Sequence, residues 1–130
     1  MPFARPDLEG ERLEFIRASE EEPELSLRKM WGAAQAASLV PLDDESWAKL
    51  ENTWSWDVGD LATAKQYGEE HGRDMDRLIR GFESGAPIPA PIVVIKPDGK
   101  KTLIAGNNRL SVARALGVRP KVLLVDLRHV

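Results

Sequence analysis

The chain has 130 residues, 42% apolar and 30% charged, which is enough for one domain with its own core and too apolar for a disordered chain. It has no cysteine and only two histidines, His71 and His129, which excludes disulfides, thiol catalysis and thiolate metal sites and argues against a multi-histidine centre. No apolar run approaches the roughly 20 residues of a membrane helix, and the opening MPFARPDLEG lacks a secretory core, so the expectation is a cytoplasmic protein with no membrane partner.

Residues 1–24 read as an N-terminal arm. Pro2, Pro6, Gly10 and Pro23 punctuate them, and Glu20-Glu21-Glu22 is an acid run. Leu13, Phe15 and Ile16 give residues 11–17 the content for a docked strand or helical turn. Residues 25–130 read as a single domain, helical over 25–84 and strand-rich over 91–127. Leu25 to Leu39 is predicted as a helix capped by Ser26, with Leu27, Met30, Trp31, Ala34 and Ala37 on one face. Asp43 or Asp44 caps a second helix, Glu45 to Asn52. Ser55 or Asp57 caps a third, Val58 to Glu70. A fourth runs from Arg73 to Ser84, with Asp74 and Asp76 in the first turn and Met75, Leu78, Ile79 and Phe82 as its buried stripe. Trp31, Trp47, Trp54 and Trp56 fall close together. They are either the core of the helical half or a stacking wall for a flat ligand.

The last forty residues are denser in pattern. Pro91 to Ile95 is a β-branched strand, Pro97-Asp98-Gly99 is a turn, and Thr102 to Ala105 is the returning strand of a hairpin. Gly106 ends that strand, and Asn107 or Asn108 can cap a helix from about Asn108 to Leu116. Gly117 and Pro120 close the helix, and Lys121 to Leu127 is a largely apolar strand suited to the middle of a sheet. The fold class expected is α+β (mixed α/β), with N-terminal helices packed on a small C-terminal mixed sheet.

A helix that opens directly after a glycine-ended strand presents free N–H groups and the positive end of its dipole together. Gly106 lets a ligand approach the main chain, and Arg109 adds a forked cationic donor. Residues 91–130 hold eight Lys/Arg and two acids, whereas residues 1–90 hold ten Lys/Arg and nineteen acids. That asymmetry has two readings. It is a positive field for a phosphorylated ligand, or the acidic part folds over the basic part and the charges satisfy each other.

The box Gly106-Asn107-Asn108-Arg109-Leu110-Ser111-Val112-Ala113, closed by Ala115-Leu116-Gly117, resembles the ParB N-terminal domain and its relatives in the ParB/sulfiredoxin superfamily. In that family a strand pair is followed by a glycine-led "GxRR"-type box that opens a helix. The upstream helix Met75 to Phe82, Gly85 and the strand start Pro91-Ile92-Val93 are similar too, so the resemblance spans about Asp74 to Leu127. It implies a small nucleotide- or phosphate-binding domain, since some relatives bind CTP or ATP with Mg²⁺, some are small-molecule kinases and some are labelled nucleases. Departures narrow this. Without cysteine, sulfiredoxin chemistry is excluded, and Asn108 stands where many partition proteins have a second basic residue. The chain also ends at Val130, soon after the last strand, so sliding-clamp activity is not expected.

The candidate ligand-binding residues are therefore Gly106, Asn107, Asn108, Arg109 and Ser111, with a nucleoside triphosphate and Mg²⁺ as the implied cofactors. Phosphoryl transfer also needs carboxylates or a proton carrier. Glu69, Glu70 and His71, ahead of the helix that feeds the sheet, are the candidates. Two other classes stand beside this one: a DNA- or RNA-binding protein or metal-dependent nuclease, and a noncatalytic adaptor that keeps the fold alone.

Overall fold

The computed structural model describes residues 3–53, 55 and 58–129. Trp54, Trp56 and the Asp57 cap lie outside them. Among the described residues the order is β1 (Phe3–Ala4), α1 (Arg12–Glu21), α2 (Leu27–Ala36), β2 (Leu39–Pro41), α3 (Asp44–Ala48), α4 (Leu61–Glu70), α5 (Met75–Ser84), β3 (Ile88–Pro89), β4 (Ile92–Ile95), β5 (Lys101–Ala105), α6 (Asn107–Ala115) and β6 (Lys121–Asp126). The class is α+β. No helix among the described residues is long and apolar enough to cross a membrane.

The main sheet has the order β2-β6-β4-β5, which places β6 in the interior. β4 runs antiparallel to β5 and parallel to β6, and β2 runs antiparallel to β6. A central strand is covered on both faces, so it reads as an unbroken apolar run. β4 does so, with all four of its residues buried. Ile92 and Val94 face a cluster with Phe15, Ala18, Met30 and Ala34 from α1 and α2. Val93 faces the opposite way, into a cluster with Leu42, Leu50, Leu103 and Leu110. Behind α6, Ala64, Met75 and Phe82 pack on Val112 and Ala113, so α4 and α5 form an outer layer. β1 and β3 make a separate two-stranded parallel pair.

Two expectations need correcting. Part of the N-terminal arm is the helix α1, and its Phe15 is fully buried, edge-on to Trp31 at 5.3 Å. The sequence leaves a docked strand or a single helical turn open there, and the full helix is fixed by packing on α2 and the sheet, which lie far off in sequence. The helix predicted to Leu39 stops at Ala36, and Leu39–Pro41 becomes the edge strand β2. Pro41 pushes Val40 into extended backbone, and β6 offers the pairing. The sheet therefore has four strands where the sequence suggested three.

The helix ends follow local chemistry. Ser26 accepts from the Lys29 N–H, Asp43 from Ser46 and Asp74 from Arg77. α4 starts later than predicted because Asp60 is its cap, accepting from the Thr63 N–H at 2.7 Å. Ser55 instead accepts from Arg114 Nε at 2.9 Å. α3 ends at Ala48, and Glu51 then bridges to Thr102 alongside β5, covering the outer edge of the sheet. α6 closes with Gly117 at φ +68°, where the Gly117 N–H reaches Arg114 O and the Val118 N–H reaches Ala113 O.

The Asp43 cap carries a pH signature. The Lys101 ammonium first, and the Ser46 N–H second, hold its carboxyl at about 2 against an ordinary 3.8. A depressed carboxyl contributes stability above its unfolded value and loses it as pH falls through the folded one. Asp43→Ala is therefore expected to lose about 1 kcal/mol at pH 7, a cap and a screened ion pair together. Urea unfolding should show that gap narrowing between about pH 4 and pH 2. A gap independent of pH contradicts the assignment.

Candidate anion-binding cleft

The end of β5 and the start of α6 form the floor of a cleft of about 680 Å³. One wall is α1 with the residues just before it, contributing Gly10, Glu11, Glu14, Arg17 and Glu21. The other is the first turn of α5 with Arg73 and Asp74 before it, and Asn52 stands at the rim. Leu13, 72% exposed, adds an apolar edge.

The floor is shaped by Gly106. It is the N-cap of α6 at φ +97° and bears no side-chain cap, so the helix starts one residue earlier than predicted and neither asparagine caps it. A β-carbon built there would lie 2.9 Å from Pro91 Cα and 3.2 Å from Arg109 Nε. Only a glycine lets β5 turn into α6 while Pro91 and the Arg109 side chain press on the turn. The first-turn N–H groups of α6 then lack intrahelical partners at the positive end of the helix dipole.

The predicted residues are only partly brought together. Gly106, Asn107, Asn108 and Arg109 all line the cleft. Asn107 Nδ2 donates weakly to Asn52 O at 3.4 Å. Asn108 Oδ1 is buried without a hydrogen-bond partner. Ser111 is fully buried, its Oγ also lacks a partner, and it is not among the lining residues. Glu69, Glu70 and His71 sit exposed at the end of α4, outside the cleft lining. Lys65 lies 3.9 Å from Glu69 and 3.0 Å from Asp76, Gln66 donates to Glu70 at 3.3 Å, and His71 Nδ1 lies 2.7 Å from Tyr67 O. Trp31 and Trp47 do not line the cleft either. Each packs against a core cluster, Trp31 beside Arg12 and Trp47 beside Arg114 at 4.3 Å.

Arg109 is the decisive side chain. Its guanidinium, 14% exposed, donates to Pro89 O at 3.0 Å and to Glu11 Oε1 at 2.9 Å. An acid from before α1 thus already holds the cation proposed for a ligand. The same happens across the molecule. Lys96 contacts Glu22 at 2.9 Å and Glu51 at 3.4 Å, Lys101 pairs with Asp43, and Arg119 pairs with Asp44. Burial pushes the Lys96 ammonium down, but its two carboxylates outweigh that and hold it above the ordinary lysine value. The Glu22 contact is an ion pair rather than an aligned hydrogen bond. Four cations of the basic C-terminal third are therefore neutralised by acids of the first half, and the charges satisfying each other is the reading that holds for them. By contrast, Arg73, exposed on the cleft wall, forms no ion pair among the described residues.

Sequence reasoning missed Glu11, Asn52 and Arg73. Asn52 had a faint signal, because asparagine tolerates the left-handed backbone it adopts at φ +59°. There it donates through Nδ2 to Leu103 O at 2.7 Å. Glu11 had none beyond the general excess of acids.

No family model, no curated protein and no solved structure matches the chain. Among the described residues, no group of three or more His, Asp or Glu side chains could hold a metal ion.

The turn can be tested against a control. Gly99 also has positive φ, at +88°, but a β-carbon there meets nothing within 4 Å. Gly99→Ala should cost about 1 kcal/mol from the backbone alone. Gly106→Ala should cost about 3 kcal/mol, because a steric clash is added. Equal losses in urea unfolding would show that the Pro91 contact relaxes freely.

Proposed function

We propose that the cleft binds a phosphorylated small molecule, with a nucleotide as the leading candidate, in a cytoplasmic ParB/sulfiredoxin-like domain. The observation that carries this is the uncapped start of α6 beside Arg109 on the floor of an open cleft. Amides and a guanidinium converging there suit phosphate oxygens. Arg73 offers a second cation on the facing wall. A Mg²⁺ ion would arrive bound to the phosphates and neutralise part of their charge, since no group of three or more acidic or histidine side chains among the described residues could hold one. Glu69, Glu70 and His71 lie outside the cleft lining, so the reading offered for it is binding.

The Glu11–Arg109 pair favours a second reading, a noncatalytic adaptor in which that ion pair simply fastens α1 to the body. Broad nucleic-acid binding draws no support from a basic segment whose cations are so largely paired. A melting assay separates the readings. A panel of nucleoside mono-, di- and triphosphates with Mg²⁺ should raise Tm by about 5 °C at concentrations far above Kd, and Arg109→Ala should abolish the rise. No shift with any nucleotide favours the adaptor. A shift with oligonucleotides alone, lost at moderate salt, favours nucleic acid.

A further inference from the structure

We propose that Glu11 is a built-in competitor for Arg109 that admits dianionic phosphate groups and turns away monoanionic carboxylates. The proposal rests on the phosphate-site reading above and adds its selectivity. Glu11 already places a carboxylate where an incoming anion would meet the guanidinium, 2.9 Å from the Arg109 nitrogen that faces α1. The other arm of Arg109 donates to Pro89 O, so an anion that takes the α1-facing edge of this cation displaces Glu11.

The displacement is a side-chain event and not a helix swing. α1 is held in the core by fully buried Phe15 and by Ala18. The next residue after it, Glu22, is fastened to Lys96. Lifting the helix would take Phe15 out of its contacts with Trp31 and the sheet. Glu11 precedes the helix, and its side chain is 20% exposed on the cleft side, so it can turn toward solvent while α1 stays in place.

Selectivity follows from the competition. A tethered group acts at an effective concentration on the order of millimolar or more. A free carboxylate matches Glu11 in charge and in oxygens, so it gains nothing by exchange. A phosphate dianion brings more charge and three acceptor oxygens. Those oxygens can take Arg109 and the α6 amides together.

Calorimetric titration of the whole chain with inorganic phosphate, and separately with acetate at matched ionic strength, tests this. Wild type should bind phosphate and not acetate. Glu11→Gln and Glu11→Ala should each bind phosphate at least about tenfold tighter and gain acetate binding. Glu20→Gln removes one charge from the exposed side of the same helix and should change neither affinity. Arg109→Ala should bind neither anion. If phosphate binds wild type and is lost in Arg109→Ala, but the Glu11 variants bind no tighter, the competitor role is overturned and the site stands. An equal gain in Glu20→Gln reduces the effect to net charge and also overturns the role. Phosphate binding to none of these folded proteins overturns the site and the role together.

Discussion

The close approach of Gly106 to Pro91 governs the functional end of this molecule. A positive-φ residue packed on a proline lets the edge strand β5 turn at once into α6. That turn sets where the helix begins, which amides it exposes and where Arg109 emerges. The Arg109 side chain then folds back over the glycine to reach Pro89 and Glu11. A bulkier residue would move the arginine, the helix start and the cleft floor together.

Charge organises the rest. The acidic first half and the basic last third meet as discrete pairs, from Glu11–Arg109 and Glu22–Lys96 flanking α1 to Asp43–Lys101 and Asp44–Arg119 near the caps of α3. These pairs differ in weight. The pair at Lys96 involves a nearly buried ammonium, so removing one partner leaves a poorly solvated charge. The Arg119 pair uses a carboxylate that is 95% exposed, and water screens most of its attraction. The strong member thus anchors α1 to the sheet, while the weak one decorates α3. α1 forms a wall of the cleft, so an electrostatic anchor in the fold also sets the shape of the site.

The hairpin, the helix after it and the central strand were legible because each rests on local chemistry. β4 is a short β-branched run, β6 is largely apolar, Gly99 marks a turn, and Gly117 with Pro120 marks a helix end. The Ser26 cap was legible for the same reason, and Asp43 was one of two candidates; Asp74, read as a first-turn residue, is instead the cap of α5. α1 and β2 were not, because what fixes them is distant in sequence: Phe15 needs the sheet, and Leu39–Pro41 needs β6. The site divides in the same way. The residues from Gly106 to Arg109 follow one another in sequence, and they share the cleft. Glu69, Glu70 and His71 were chosen by their position before a helix, and the turn at Gly72 points the chain on to Arg73 and Asp74, which do line it. Glu11 lies 98 positions from Arg109, a pairing that no local pattern announces.

The cleft therefore combines a helix N-terminus, a cation held by an internal carboxylate and a second cation in the open. The central claim is that the amides opening α6 receive an anion. Amide NMR spectra of the isotope-labelled protein, recorded during titration with inorganic phosphate, test it most directly. The account predicts saturable shifts led by the N–H signals of Asn107, Asn108 and Arg109, with a smaller response at Glu11. Signals that stay fixed there while phosphate perturbs only scattered lysines would contradict it.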